Sequence, residues 1–277
     1  MDSITLTFGD VAENHIGNEQ IGQQVECGIS CEQLEAIHQE TPSRLIDLSL
    51  DGIEASVLVV DRVDDLMGYG FVDSLLDEQR ELTPDKHFWN RRSKSVCNKR
   101  ARWNLCFNDT GHDADYEKGL GTVVAFDDVP RLEELRQTVM KLVDATDLKV
   151  EGNYYYDIEK CGISYHGDTE RRLVVGVRLG KPFPLCYRWY QDSKPIGDRI
   201  DIDLPSGSLY IMSDKAVGWD WRKRSLKTLR HSAGCNKYIQ LKTVKPYDAN
   251  LTINPDTGRS IKVGGPTWKR LKSLGKI

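Results

Sequence analysis

The sequence predicts an α+β protein with a jelly-roll core, a double-stranded β-helix supported by helices. Three observations carry that prediction. Helical periodicity is strongest in the first half, in DLMGYGFVDSLLDEQREL and RLEELRQTVMKLVDA. From about Asn153 to Val244 the chain turns into short strands separated by Gly, Pro and Asp turns. Helices followed by a run of strands, rather than strict alternation, point to a helix-supported β-sandwich. The length, 277 residues, suits one large domain or a domain with extensions.

Taken in order, residues 1–54 read as an N-terminal extension or extra layer, with only weak strand and helix signals up to Arg44. ASVLVV is a short apolar run, and the helix after it sets Leu66, Phe71, Leu75 and Leu76 near one face. A basic and aromatic segment follows, HFWNRRSKSVCNKRARWNLCF, ending in a strand. Asp127-Asp128-Val129-Pro130 opens the next helix, with Asp as cap and Pro in the first turn. The strands are NYYYDI, LVVGVRL, PLCYRWY, RIDIDL, SLYIMS and NKYIQLKTV. Residues 55–245 form the expected main domain, and 246–277 a Gly-rich, basic C-terminal appendage.

A net charge of −4 excludes a nucleic-acid polycation, so any basic surface must be local. Seven scattered cysteines fit a reducing compartment rather than a disulfide framework. Cys27 and Cys31 have no second close pair to complete a zinc site. No basic segment leads into an apolar run near the N-terminus, and no stretch approaches the roughly 20 apolar residues of a membrane span. A soluble intracellular protein of cytoplasm or nucleus, without a membrane partner, is expected.

The chemistry centres on His166, Asp168 and His231. On a strand, residues two apart project from the same face, so His166 and Asp168 can converge on one ion. His231 is the only histidine after His166, and a second imidazole from the later chain must be this one. Two imidazoles and a carboxylate suit ferrous iron and leave positions open for a cosubstrate and oxygen.

Around this trio the chain resembles a known family. VPRLEELRQTV, NYYYDIEKCGISYHGDTE, RLVVGVRLGKPFPLCYRW, DIDLPSGSLYIMS and RHSAGCNKYIQL are similar, in that order, to segments of the Fe(II)- and 2-oxoglutarate-dependent oxygenases, most of all the AlkB-like group. The resemblance implies that His166, Asp168 and His231 ligate Fe(II) and that 2-oxoglutarate and O2 are consumed to oxidise a C–H bond, releasing succinate and CO2. It implies a basic residue on the strand after the distal histidine for the far carboxylate of 2-oxoglutarate. Lys237 fits the basic-aromatic pattern there, with Lys242 in reserve. Tyr156 matches the tyrosine that hydrogen-bonds the cosubstrate, and Tyr154 shares its face on a regular strand, with Tyr155 opposite.

The substrate is less constrained. Trp89, Arg91, Arg92, Arg102 and Trp103 lie where AlkB-like enzymes carry a nucleotide-recognition lid, and Arg171 and Arg172 add positive charge beside the iron ligands. Aromatics stack on bases and cations hold phosphates, as single-stranded or flipped nucleotides require. DWRKRSLKTLR, before His231, is a second basic-aromatic loop able to line the entrance. Hydroxylation of a protein side chain is the alternative, and a binding module with a dead site the third reading. NPDTGRSIKVGGPTWKRL resembles a motif appended to proteins of large DNA viruses, which implies a viral or virus-derived origin.

Overall fold

The computed structural model describes residues 2–241 and 250–277, which fall into two units, Met1–Gln240 and Leu241–Ile277. The first unit opens with β1 (Ser3–Gly9), the hairpin β2 (Val11–Glu13) and β3 (Gln20–Gly22), α1 (Cys31–Glu40), β4 (Arg44–Asp47) and β5 (Ser56–Val60). Then come α2 (Asp64–Met67), α3 (Phe71–Glu81), the hairpin β6 (His87–Asn90) and β7 (Ser95–Asn98), β8 (Trp103–Asn108), β9 (Val123–Ala125) and α4 (Pro130–Leu142). The unit continues through β10 (Lys149–Tyr155), β11 (Gly162–His166), β12 (Val175–Gly180), β13 (Leu185–Gln191) and β14 (Lys194–Ile202). It ends with β15 (Leu209–Met212), α5 (Asp214–Val217), β16 (Thr228–Gly234) and α6 (Asn236–Ile239). The second unit holds the antiparallel pair β17 (Leu251–Ile253) and β18 (Ser260–Lys262), and α7 (Pro266–Ser273).

The architecture is α+β. An eight-stranded sheet has the order β4-β5-β15-β12-β1-β10-β8-β9, and a four-stranded sheet the order β11-β16-β13-β14. Strand alternation gives the large sheet two different faces. On β1, Ile4, Leu6 and Phe8 enter a core shared with Leu75 of α3 and Leu132, Leu135 and Val139 of α4. Thr5 and Thr7 point the other way, into a cavity. Farther along, Val57, Val59, Tyr210 and Met212 of the large sheet pack with Leu185, Tyr187, Trp189 and Leu229 of the small one. The two sheets therefore face each other, apolar at one end and polar where the cavity lies.

Several expectations change here. Residues 1–54, expected as an N-terminal extension or extra layer, contribute β1 to the large sheet, where it is hydrogen-bonded between β10 and β12 with Leu6 and Phe8 fully buried. Its SITLTFG alternation is a half-polar, fully enclosed strand, weak as a hydrophobicity signal because its polar face meets a cavity rather than solvent. The first predicted helix is broken into α2 and α3 at Gly68 and Gly70, which adopt φ of 100° and 84°. Helix α4 starts at Pro130, but no Asp side chain caps it; the Glu78 carboxylate of α3 accepts from the amides of Arg131 and Leu132 instead. Of the predicted strand NKYIQLKTV, the first residues form α6, because β16 ends at Gly234 (φ 132°) and the chain turns there. Residues 242–249, including Lys242, lie outside the described residues.

Candidate metal centre

The three predicted ligands meet at the edge of the small sheet. Antiparallel pairing of β11 with β16 sets His166 directly opposite His231, which brings both imidazoles to one face with ring centroids 4.4 Å apart. Beyond β11 the backbone turns through Gly167, and the Asp168 amide donates to the Val217 carbonyl at 3.1 Å. A Cβ on Gly167 would stand 2.0 Å from the Gly218 carbonyl oxygen, so this close approach admits only glycine between the two ligands. Nε2 of His166 and of His231 lie 3.4 and 3.7 Å from Oδ1 of Asp168, and ligand atoms of all three residues lie within 4.8 Å of one another.

Electrostatics ready the trio for a cation. Burial pushes both imidazoles down to about 4, so each is neutral at pH 7 with a lone pair to give. Nδ1 of His166 lies 2.8 Å from the Ser164 carbonyl, which fixes that nitrogen as the donor and leaves Nε2 free for a metal. Arg171, only 4% exposed, reaches Oδ2 of Asp168 with its Nε at 3.7 Å. The same guanidinium donates to Glu151 at 2.7 Å and contacts Glu170 at 3.2 Å. Asp168 is thus held by one oxygen while the other faces the imidazoles. Burial alone would push the Glu151 carboxyl up, but the charges of Arg171 and Arg102 outweigh it and hold it below its usual range. Glu170, buried beside the Asp168 charge, is pushed up to about 7.

The trio opens onto a cavity of about 650 Å³ between the sheets. The large sheet supplies Thr5, Glu151, Asn153, Tyr155 and Arg178, and the small sheet Ile163, Leu185 and His231. Arg178 is the unexpected member. It is 1% exposed, it donates to Thr5 Oγ1 at 2.7 Å, and it lies over the rings of Phe183 and Tyr155 at 5.2 and 5.9 Å. Its Nε has no hydrogen-bond partner, and among the described residues no carboxylate forms an ion pair with it. Burial pushes this guanidinium down from its ordinary range. A buried cation without an anion is costly, and a cavity at its side is where a ligand's negative charge would offset that cost.

The remaining predicted residues scatter. Lys237 is an exposed residue of α6 and borders a separate depression with Glu159 and Pro182. Tyr154 faces the helix-covered core and donates to Gln79 at 2.9 Å; its neighbour Tyr155 is the tyrosine that lines the cavity. Tyr156 stacks on Trp103 at 4.7 Å and donates to the Arg100 carbonyl at 2.8 Å. Trp103 packs against the core, with the Lys86 ammonium over its ring. Arg171 is an internal clamp, and Arg172 is tied to both oxygens of Asp214 and stacked over Trp219, off the cavity wall.

Arg102 does line the cavity, donating to Asn153 Oδ1. Arg91 and Arg92 are exposed at the tip of the β6–β7 hairpin, with Trp89 half-buried on β6. Phe88 of that hairpin packs on His15 at 3.7 Å, and His15 is on the cavity wall, so the hairpin's base lies beside the cavity. Trp221 and Arg222, from the second basic-aromatic loop, also line it. Sequence reasoning missed Arg178, Thr5 and Tyr155. Arg178 did leave a signal: a cation inside VVGVRLG, flanked by strand residues that are all apolar or glycine.

Among the described residues no helix is long and apolar enough to cross a membrane. Residues 245–273 match the model of the 2-cysteine adaptor domain family. The chain is 38% identical over 251 residues to an uncharacterized protein of Acanthamoeba polyphaga mimivirus, an alignment that covers 86% of this chain and 98% of the relative.

Proposed function

The chain belongs to one family with that mimivirus protein, and for its cavity we propose an Fe(II)- and 2-oxoglutarate-dependent dioxygenase activity, AlkB-like in kind. The observation that carries this reading is the pairing in one cavity of a His-Asp-His donor set with a buried arginine that has no carboxylate partner among the described residues. The donors fit ferrous iron: two neutral imidazole nitrogens, one carboxylate oxygen and no thiolate. Bound there, Fe(II) with 2-oxoglutarate and O2 supplies the oxidising power for C–H cleavage, with succinate and CO2 as coproducts.

The chain's own residues have separate tasks. His166, Asp168 and His231 hold the metal, and Arg171 orients Asp168. Arg178 takes the distal carboxylate of the cosubstrate in place of Lys237, with Thr5 fixing the guanidinium and Tyr155 forming the wall beside it. Enclosure between the sheets excludes bulk water and strengthens that charge pairing.

The fold supports the same reading. We take the two sheets as a jelly roll in which the chain passes from sheet to sheet, so that β16 nests between β11 and β13. By the same rule the strand after β16 belongs between β10 and β12, and β1 occupies that place. The strand to which the resemblance assigns the basic anchor is then supplied by the N-terminus. It carries Thr5 where a cation was expected, and the cation stands directly opposite, at Arg178 on β12.

For the substrate we favour a modified nucleic-acid base, because Arg102, Trp221 and Arg222 line the cavity and the basic hairpin packs beside it. A protein hydroxylase using the same iron site is the alternative. A lysine anchor would lean towards that alternative, and Arg178 takes the anchoring role instead. The test is succinate formation with Fe(II) and 2-oxoglutarate, screened against methylated oligonucleotides and peptide pools. Turnover is expected with oligonucleotides and lost in His166→Ala and Asp168→Ala. Full turnover in either variant would remove the iron assignment, and turnover with peptides alone would move the substrate to protein.

A further inference from the structure

We infer that the second unit, Leu241–Ile277, is a nucleic-acid-binding module whose exposed cations hold the chain on a phosphodiester polymer. The inference goes beyond the oxygenase reading and involves neither iron nor 2-oxoglutarate. Charge is sharply divided along this chain. The 37 residues from Leu241 carry eight Lys and Arg against two Asp, a net +6, while the first 240 residues carry −10 and the whole chain −4. An acidic domain of that charge repels a polyanion at long range, so capture requires a local basic surface on the same chain.

Most of the described cations of this unit are unneutralised. Arg259, Lys262, Lys269, Arg270 and Lys272 are all exposed, and among the described residues none forms an ion pair; Lys276 alone has a carboxylate, Asp256 at 2.7 Å. Helix α7 begins with no acidic residue in its first turn and carries Lys269, Arg270 and Lys272 in eight residues. Arg270 and Lys272 fall in the last turn, where the helix dipole favours cations, and the three like charges crowded there repel one another, which an external polyanion relieves. Trp268 offers a half-buried ring beside them, with the Lys272 ammonium 4.8 Å from its centroid. The segment that matches the 2-cysteine adaptor family contains no cysteine, so thiolate-held metal or a disulfide is not the source of binding here.

Nucleic acid fits this surface better than a lipid headgroup layer. A surface helix binds membrane through a continuous apolar face, but α7 has eight residues, and its Leu271 is already buried within the unit. The cations instead extend from the β17–β18 turn region through β18 into α7, a spread suited to successive phosphates. Linking such a module to the cavity-bearing domain raises the local concentration of polymer around that domain.

The test is fluorescence anisotropy of a short labelled single-stranded oligonucleotide with the full chain, without iron or 2-oxoglutarate. If five cations each displace counterions, the log–log salt slope is about −3.5, roughly a hundredfold weakening between about 50 and 200 mM salt. The triple change Lys269→Glu, Arg270→Glu and Lys272→Glu is expected to cut affinity at least about tenfold. Should it disturb folding, the milder pair Lys269→Gln and Lys272→Gln is expected to flatten the slope by about 1.4. His166→Ala is expected to bind like the parent, which keeps this inference separate from the iron site. Unchanged affinity in the charge variants, binding lost only on changing Arg91 and Arg92, or capture by phosphatidylserine vesicles but not by oligonucleotide would each overturn it.

Discussion

The two walls of the cavity were built from sequence signals of different kinds. The wall from the small sheet carries His166 and His231, with Asp168 just beyond, and its logic is local: a two-residue spacing, a strand end and one later histidine. The wall from the large sheet carries Thr5, Glu151, Tyr155 and Arg178, residues from three strands that span most of the chain. Metal donors must be close to one another, so they leave compact motifs. An anion anchor needs only a buried cation and space, which any strand facing the cavity can supply.

Four changes would break or sharpen that contrast. The largest expected effect is from Arg178→Gln: a rise of about a hundredfold or more in the KM for 2-oxoglutarate, with Mn(II) affinity unchanged by titration. Equal loss of metal binding would mean that the two walls do not act separately. Next, Arg171→Lys keeps the charge but loses the fork shared by Asp168 and Glu151, and Mn(II) affinity is expected to fall about 10- to 100-fold. Unaltered affinity would show that Asp168 needs no such support.

Thr5→Val removes the hydroxyl that accepts from Arg178 while conserving shape, and about a fivefold rise in cosubstrate KM is expected. No change would leave β1 a purely structural strand. Lys237→Ala is expected to alter KM by less than about twofold, since that side chain is exposed and off the cavity. A large increase would return the anchor to α6.

Legibility followed the reach of each interaction. Helices α3 and α4 were visible in the 3.6-residue period, yet the capping of α4 was not, because Glu78 comes from another helix. Strand parity correctly separates Tyr154 from Tyr155, but parity cannot say which side is the cavity. That was decided when α3 packed over Tyr154 and offered Gln79 to its hydroxyl. Arg171 and Arg172 look alike in sequence. One is buried against the Asp168 carboxylate and the other is pinned to Asp214, because adjacent residues leave the chain in different directions.

By itself the sequence pointed to the grouping of His166, Asp168 and His231, the α+β composition and the basic character of the C-terminal residues, all of which follow from residue type and short spacing. Tertiary structure alone decided that the first strand lies at the centre of the large sheet, that Arg178 faces the cavity without a carboxylate partner among the described residues, and that Lys237 does not line it. The reason is distance along the chain. Thr5 and Arg178 are 173 residues apart, and only the pairing of β1 with β12 makes them neighbours.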